Sequence, residues 1–302
     1  MVALLVVVAV QLASAPGAKA NWTAQNPGEW GLKAVSCPTS LTCFAVGNPG
    51  AIAATRDGGS TWTEQPSGTD LTLLGVSCAT SLTCHAVGEL DDALATKDGG
   101  LSWSKQPRPG FWSLQDISCA TSATCVAVGG GVVITTATGG ASWSDRTPST
   151  NNVLLGVSCP TSLTCFAVGH DGTIRKTTDG GSTWSLQSSG TSNSLYGVSC
   201  PTSLTCFAAG AGGTIVATTD GGLTWSVQSS GTTSTLYGVS CPTSLTCFAA
   251  GDGGTIRSTR DSGASWDGES SGTSEALTGI SCPTSFTCFA VGDSTIVRRE
   301  PA

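Results

Sequence analysis

The sequence has little charge and few of the residues on which catalysis usually depends. Charged residues make up 11% of its 302 residues, and 13 Lys plus Arg against 20 Asp plus Glu give a formal net charge of −7. This balance excludes the large basic face that nucleic acid or anionic lipid requires. With two histidines, two tyrosines and no recognisable nucleophile, base or cofactor motif, we expect no catalytic residues, no cofactor and no metal. Fourteen cysteines and forty glycines instead indicate a turn-rich, all-β secreted chain.

Long apolar runs are absent after residue 20, so no membrane span is expected in the mature chain, because a span needs roughly 18 apolar residues. The first twenty residues differ. An apolar run over 3–10 precedes Ala18-Lys19-Ala20, a small-x-small triplet that signal peptidases accept. We expect residues 1–20 to be a signal peptide, with Asn21 as the first mature residue and the protein secreted. No Lys or Arg precedes the apolar run, so an upstream start codon, cleavage after Ala15 or an uncleaved anchor remain alternatives.

The chain consists of a repeat marked by seven Cys-x5-Cys pairs that recur every 40 or 41 residues. Each unit holds four short β-like runs, A to D, and no helical periodicity. In the fourth unit they span residues 154–159, 165–169, 173–177 and 183–187. A period of about 40 with four strands per unit predicts a single all-β domain over residues 21–302, a seven-bladed β-propeller with four-stranded blades.

The two ends of the repeat complement each other. The last unit stops after Thr295-Ile296-Val297-Arg298 and lacks its fourth run, whereas residues 21–25 read Asn-Trp-Thr-Ala-Gln and match the fourth run of other units. We therefore expect the N-terminal strand to complete the last blade and to close the ring. Closure removes the open sheet edges that invite aggregation.

Each cysteine pair flanks the five residues that join runs A and B, a usual hairpin length, which places the two thiols within bridging distance. A zinc alternative needs thiolates gathered four to a site, and here each pair lies on its own blade without a regular histidine. We expect seven disulfides: Cys37-Cys43, Cys78-Cys84, Cys119-Cys125, Cys159-Cys165, Cys200-Cys206, Cys241-Cys247 and Cys282-Cys288.

Between runs C and D lies the motif Asp-Gly-Gly-Ser-Thr-Trp or a close variant. Glycine provides the positive φ of a tight turn, aspartate accepts backbone N–H groups, and tryptophan fills the gap between neighbouring sheets. In the third unit Thr138 replaces the aspartate. We expect the following residues to be structural: Asp57, Trp62, Asp98, Trp103, Trp143, Asp179, Trp184, Asp220, Trp225, Asp261 and Trp266.

This motif resembles the turn of the Asp-box, or BNR-repeat, β-propellers, S/T-x-D-x-G-x-T-W, and the repeat covers residues 21–302. Within that group the sequence pattern G-T-I-x-x-T-x-D-G-G-x-T-W-x-x-Q-x-S-G-T is similar to the repeats of the Ycf48-like photosystem II assembly factors and of secreted bacterial proteins. The resemblance implies a propeller scaffold. A photosystem role is not expected, because the chain has only eight arginines, a net acidic balance and a cysteine pair in every blade.

Asp-box repeats also occur in sialidases, so a sialidase-like glycoside hydrolase is the alternative function. Such an enzyme needs three arginines on the substrate carboxylate, a tyrosine nucleophile beside a glutamate, and an aspartate acid/base. The two tyrosines, Tyr196 and Tyr237, occupy one repeat position that elsewhere holds Lys, Leu, Gln or Thr. We interpret both as packing residues between blades.

In a propeller the A–B and C–D loops lie on one face and the B–C and D–A loops on the other. The B–C loops differ between units and carry six carboxylates: Glu89, Asp91, Asp92, Asp171, Asp252 and Asp293. Their functional interpretation is a rim that binds a cation, a basic peptide or a sugar. The alternative is turn chemistry, since Asp and Gly favour hairpin bends.

Further candidates lie near this rim. Asp116 replaces a strand-A glycine and is expected to line the channel, where a buried carboxylate needs water or a partner. Trp30 and Trp112, in D–A connections, suit carbohydrate stacking or cover the blade edge. His170 lies in a loop and is a candidate for a pH-sensitive contact, whereas His85 replaces a strand-B Phe and is expected to be packed.

Together these observations predict a secreted, monomeric, non-catalytic propeller that binds a protein or carbohydrate ligand with its B–C and D–A face. A purely structural component of the cell envelope is a third possibility.

Overall fold

The computed structural model describes residues 21–25, 30–90, 92–110, 112–148 and 153–300. The expected signal peptide and Asp91 lie outside the described residues. The chain forms seven four-stranded antiparallel sheets arranged as the blades of a β-propeller, which confirms the predicted fold.

Each blade is a meander whose strands are labelled A to D from the first to the fourth. Blade 1 contains β2 Gly31–Ser36, β3 Cys43–Asn48, β4 Ile52–Thr55 and β5 Thr63–Glu64. Blade 2 contains β6 Leu73–Cys78, β7 Cys84–Gly88, β8 Ala93–Thr96 and β9 Ser104–Lys105. Blade 3 contains β10 Asp116–Cys119, β11 Cys125–Gly129, β12 Val132–Thr136 and β13 Ser144–Asp145. Blade 4 contains β14 Leu154–Ser158, β15 Cys165–Gly169, β16 Ile174–Thr177 and β17 Ser185–Gln187.

Blade 5 contains β18 Leu195–Ser199, β19 Cys206–Gly210, β20 Ile215–Thr218 and β21 Ser226–Gln228. Blade 6 contains β22 Leu236–Ser240, β23 Cys247–Gly251, β24 Thr255–Thr259 and β25 Asp267–Ser270. Three of the B–C loops contain a 3-10 turn: His170–Gly172, Ala211–Gly213 and Asp252–Gly254. In the described residues, no helix is long and apolar enough to cross a membrane.

Blade 7 joins the two ends of the chain, as predicted. It contains β26 Gly279–Ser281, β27 Cys288–Val291 and β28 Ile296–Arg299, and its outermost strand is β1 Trp22–Gln25. Strand β1 pairs antiparallel with β28, with Trp22 opposite Arg299. The N-terminal strand therefore closes the ring, and blade 7 has the same four strands as the others.

The core lies between blades. A strand-B phenylalanine of one blade meets the C–D tryptophan of the next edge to face, as Phe44 does with Trp103 at 6.2 Å and Phe166 with Trp225 at 6.0 Å between ring centroids. Such edge contacts are favoured because the positive ring edge meets the negative ring face. The strand-B phenylalanines are fully buried, so each pair seals one gap between sheets.

All seven predicted disulfides are present, each between strands A and B of one blade, with Cα–Cα distances of 4.0 or 4.1 Å. Bridges of this kind are typical of proteins from oxidising compartments.

The strand ends of blade 4 differ slightly from prediction. Strand C begins at Ile174 rather than Thr173, because the Thr173 amide closes the 3-10 turn by donating to the His170 carbonyl. Strand D begins at Ser185 rather than Thr183, because the Thr183 amide and hydroxyl both bind the Asp179 carboxylate and hold that residue in the turn.

Candidate functional site

The A–B loops and C–D turns lie on one face of the ring. In blade 1 the Gly58 amide of the C–D turn donates to the Leu41 carbonyl of the A–B loop at 2.9 Å, and the same contact joins Gly180 to Leu163 in blade 4. The disulfides and the Asp-Gly-Gly turns therefore share this face.

The aspartate of each C–D turn organises the loop that follows it. Asp57 accepts the Thr61 amide at 2.9 Å and the Thr61 hydroxyl at 2.7 Å, and the Thr55 hydroxyl also donates to it. These hydrogen bonds lower the pKa of Asp57 to about 2. The same arrangement and the same lowered pKa recur at Asp98, Asp179, Asp220 and Asp261. In blade 3 the Thr138 hydroxyl takes the place of the carboxylate and accepts the Ser142 amide at 2.9 Å.

A ring of exposed apolar side chains lies on this same face. The sequence interpretation missed this feature. One residue from the A–B loop of six blades points outward with 57 to 65% of its surface exposed: Leu41, Leu82, Leu163, Leu204, Leu245 and Phe286. Blade 3 has Ala123 at this position. The signal was present in the sequence as a leucine between polar residues in a loop.

The B–C and D–A loops form the opposite face. The Glu89 amide in a B–C loop donates to the Thr72 carbonyl in a D–A connection at 3.0 Å, and the His170 amide donates likewise to Val153 at 3.1 Å. The loops that carry the predicted acidic rim therefore lie beside the connections that carry Trp30 and Trp112.

The A strands line the central axis, since the first strands of neighbouring blades pack side by side around the ring. On the B–C face each blade contributes one half-buried side chain, from the beginning of strand A or from the residue directly before it. In five blades a β-bulge falls at this residue, where the register with strand B shifts by one. These seven side chains are called the mouth ring: Lys33, Leu74, Gln115, Leu155, Tyr196, Tyr237 and Thr278.

The mouth ring has an aromatic side. Tyr196 and Tyr237, from blades 5 and 6, lie with ring centroids 5.5 Å apart and planes inclined by 53°. Burial raises the pKa of Tyr237, and its hydrogen bond to the Asp252 carboxylate raises it further. The two tyrosines pack between blades, as expected, yet remain half-exposed at the mouth beside a rim carboxylate. Sequence reasoning treated them as packing alone, although their occurrence at one repeat position was the available signal.

Three of the predicted rim carboxylates and the candidate His170 reach the surface. Glu89, His170, Asp171 and Asp293 are exposed. Asp293 forms an ion pair with Lys33 of the mouth ring at 2.5 Å, and His170 Nδ1 lies 3.1 Å from the Ser194 hydroxyl. The structure thus joins Asp252 and Asp293 to mouth-ring side chains.

Two predicted residues are turned inward. Asp92 is only 1% exposed, accepts a hydrogen bond from the Thr69 hydroxyl and pairs with Lys105 at 3.3 Å. Trp112 is half-buried against the core between blades 2 and 3, and its carbonyl accepts a hydrogen bond from Arg108 at 2.8 Å. Both residues therefore help to hold the fold together.

Asp116 lies deeper, on the axis. Its carboxylate accepts the Ile117 amide and, across the gap between blades, the Val157 amide, both at 2.8 Å. Asp116 is half-buried between neighbouring A strands, and burial raises its pKa to about 7 despite these two hydrogen bonds. In five other blades this position is glycine, because the strands approach closely: a Cβ on Gly156 would lie 2.6 Å from the Tyr196 carbonyl oxygen.

Below Asp116 a ring of seven serines links the blades, and sequence reasoning missed it. Each serine hydroxyl accepts the backbone N–H of the first cysteine in the next blade, at 2.9 or 3.0 Å. The signal was a serine directly before the first cysteine of every pair. The residues are Ser36, Ser77, Ser118, Ser158, Ser199, Ser240 and Ser281.

Two clefts lie away from the mouth, between blades 3 and 4. One of about 720 Å³ is lined by Arg146, Arg175 and Trp184, and one of about 320 Å³ reaches Cys125 and Cys159. Within the described residues, His85, Cys119 and Cys125 are close enough together to share a metal ion, but both of these sulfurs are held in a disulfide.

Several solved structures share this architecture. A structure described as YCF48 bound to D1 peptide is 21% identical, covers 93% of this chain and 97% of its own, and has a TM-score of 0.76. YCF48 from Cyanidioschyzon merolae is 18% identical over 93% and 99% of the two chains, with a TM-score of 0.74. A streptogramin B lyase is 11% identical over 93% and 97%, with a TM-score of 0.81. Neither a protein-family model nor a curated protein sequence matches the chain. At these identities the likeness establishes the propeller fold.

Proposed function

We propose that the chain is a non-catalytic binding module that holds a protein segment at the mouth ring. The observation that carries the proposal is the tyrosine pair with Asp252. Bulges set the two aromatic residues at the entrance of the axis, where they combine apolar surface with hydrogen-bonding hydroxyls. Tyrosine is enriched among the residues that dominate protein interfaces.

The charge around the mouth favours a cationic segment. Asp252 lies beside the aromatic side, Glu89 and Asp171 are exposed carboxylates in B–C loops of the same face, and the mouth-ring cation Lys33 is already paired with Asp293. A Lys or Arg side chain would stack on a tyrosine and reach Asp252, which combines a cation–π contact with an ion pair. The structure of YCF48 with a peptide gives a precedent for peptide binding on this fold.

The test replaces both tyrosines by the leucine that blades 2 and 4 have at the same position. Labelled synthetic peptides of graded net charge and neutral oligosaccharides are titrated against the full chain, and binding is followed by fluorescence anisotropy. We expect cationic peptides to bind and the Tyr196→Leu/Tyr237→Leu variant to lose about tenfold or more in affinity, since truncating an interface hot spot costs about 2 kcal/mol.

The matched control is Leu204→Ser on the opposite face, which should leave peptide affinity unchanged. Binding that survives the double tyrosine change, or that is lost with Leu204→Ser, would contradict the assignment of the mouth ring. Oligosaccharide binding lost with the tyrosines would favour a glycan ligand instead. Turnover of a fluorogenic sialoside would support the sialidase-like alternative, which derives from the Asp-box resemblance.

We also propose that the protein is exported, that residues 1–20 are removed, and that the chain is a monomer. Seven disulfides support an oxidising destination. Expression of the full chain in a secreting host should release protein that begins at Asn21 and lacks all fourteen thiol protons by intact mass, and light scattering should give one chain per particle. Cytosolic retention with free thiols would contradict export.

A further inference from the structure

One of the seven disulfides lies beside a titratable side chain. His85 lies in strand B of blade 2, at the position that phenylalanine holds in five blades. It is 1% exposed, and its ring meets Trp143 of blade 3 edge to face, with 6.5 Å between centroids. The imidazole therefore keeps the packing role of phenylalanine and adds two nitrogen atoms to the gap between blades 2 and 3.

One of these nitrogens faces the disulfide of blade 3. His85 Nδ1 lies 3.6 Å from Cys119 Sγ and 3.7 Å from Cys125 Sγ. A disulfide sulfur has no proton, so this contact is a hydrogen bond only when Nδ1 carries one. The Nε2 atom is buried without a hydrogen-bond partner among the described residues. Burial lowers the pKa of His85, and the Gly139 backbone opposes this shift only in part.

We propose that Cys119-Cys125 is a thiol-exchange site, the bridge at which this ring reacts first with an external dithiol. A thiolate of the dithiol attacks one sulfur, the S–S bond breaks, and the electron pair remains on the other sulfur. Because Nδ1 is nearly equidistant from both sulfurs, an Nδ1–H group can donate a hydrogen bond to whichever sulfur leaves as the thiolate. The second thiol of the dithiol then displaces the mixed disulfide, which leaves a cyclic disulfide on the reagent and two reduced cysteines on blade 3. Stabilising the leaving thiolate speeds exchange.

The bridge is also reachable. Cys119 is half-buried, and the cleft of about 320 Å³ between blades 3 and 4 is lined by Cys125 of this bridge and by Cys159 and Cys165 of the blade 4 bridge. Accessibility alone does not single it out, because Cys78 in blade 2 and Cys159 in blade 4 are half-buried as well. Those two bridges pack against the cores of Phe44 and Val126, which have no proton to give. They are internal controls for burial.

The experiment measures the reduction rate of each bridge in the folded, full chain. Samples are exposed to dithiothreitol, quenched by alkylation at intervals and mapped by peptide mass spectrometry. We expect Cys119-Cys125 to open about tenfold faster than Cys78-Cys84 and Cys159-Cys165, as a leaving-thiol pKa lowered by one or two units implies. The His85→Phe variant restores the residue of the other blades and should bring the blade 3 bridge to the rate of its neighbours.

A second variant tests whether an imidazole accelerates the reduction of another disulfide. Val126→His places imidazole at the corresponding position beside Cys159-Cys165, and that bridge should then open faster while the others keep their rates. Equal rates for the three bridges in the native chain, or an unchanged blade 3 rate in His85→Phe, would overturn the proposal. If His85→Phe fails to fold, an unchanged blade 4 rate in Val126→His overturns it alone.

Discussion

Replacing Glu269 by glutamine is expected to lower the free energy of unfolding by about 3 kcal/mol, because it leaves a buried arginine without its carboxylate. Glu269 lies in strand D of blade 6 and Arg299 in strand C of blade 7, and the Arg299 side chain is only 3% exposed. The change therefore acts on the seam at which the ring closes.

The carboxylate of Glu269 is held from three sides. It accepts Arg299 Nε at 3.0 Å and Trp22 Nε1 of the N-terminal strand at 2.8 Å, and the Ser258 hydroxyl donates to its second oxygen at 2.8 Å. Burial acts to raise the pKa of Glu269, but the bonds from Arg299, Trp22 and Ser258 outweigh it and the pKa is lowered. The guanidinium of Arg299 also covers the Phe248 ring at 4.8 Å. One carboxylate thus ties the first strand, the last strand and blade 6 together.

Both members of this ion pair depart from the repeat. Strand C ends in threonine in the other six blades, where blade 7 has Arg299. Strand D of blades 4 and 5 has glutamine where blade 6 has Glu269, and Gln228 accepts the Trp266 indole N–H at 3.0 Å. The double variant Glu269→Gln/Arg299→Thr therefore restores the pairing that works between blades 5 and 6. We expect it to lose less stability than the sum of the two single changes, with a coupling energy of 1 to 3 kcal/mol.

Urea unfolding of the disulfide-intact chain measures this cycle. Glu64→Gln, an exposed glutamate in strand D of blade 1, is the control and should change stability by less than about 0.5 kcal/mol. Additive losses in the double variant, or a loss from Glu269→Gln no larger than that from Glu64→Gln, would show that the ion pair does not secure the seam.

The repeat made the fold predictable from sequence. A Cys-x5-Cys pair in every unit and the Asp-Gly-Gly-Ser-Thr-Trp turn or a variant of it in six units fix hairpin length, turn type and strand count. The orphan segment at Trp22 fixes closure. What the pattern did not reveal is what lies between units: the serine bridge from Ser158 to the Cys200 amide and the Glu269 pair both link different blades. The sequence shows the serines as a regularity and Glu269 and Arg299 as exceptions to the repeat, but only the packing of one blade against the next gives these residues their partners.

The candidate site was predictable only in outline. The acidic loops were assigned to one face, and Asp252 and Asp293 do lie beside mouth-ring side chains. The inward turn of Asp92 depends on Thr69 and Lys105, which lie in other segments. The exposure of Tyr196 depends on a bulge that shifts register by one residue. A shift of one residue moves a side chain to the other face of a strand, and no local pattern records it.

A second large effect is expected at Asp116, and it depends on pH. Its pKa is about 7 in the folded chain against an ordinary aspartate value of 3.8, because burial disfavours the charged form. Between these two values the folded state holds a proton that the unfolded state has released, so the free energy of unfolding falls as pH rises from about 4 to 7. Above pH 7 both states are ionised and the loss is complete. A shift of this size corresponds to a loss on the order of 4 kcal/mol.

Asp116→Asn removes the charge and keeps the shape. The amide oxygen still accepts one backbone N–H, so at pH 4 the variant and the native chain, which then carries a neutral carboxyl, should have similar midpoints of thermal unfolding. At pH 8 the variant should be the more stable, by several degrees. The pKa of His85 is lowered in the folded chain, so its effect has the opposite sign to that of Asp116. It adds stability as pH rises toward 6.5, the ordinary histidine value of the unfolded chain. Both proteins contain His85, so this contribution cancels when the unfolding midpoints of the variant and the native chain are subtracted.

The comparison separates two roles for the carboxyl group. If it were held ionised by an unseen cation on the axis, Asp116→Asn would cost stability at pH 8, and added chelator would mimic the variant. If it is a neutral donor and acceptor at low pH that becomes a buried charge at neutral pH, the variant gains stability and chelator has no effect. Parallel pH profiles for the two proteins would contradict the raised pKa itself. We expect the second outcome, because the hydrogen bonds to the carboxylate among the described residues come from the Ile117 and Val157 amides, and two neutral N–H donors do not compensate the burial of a charge between the A strands.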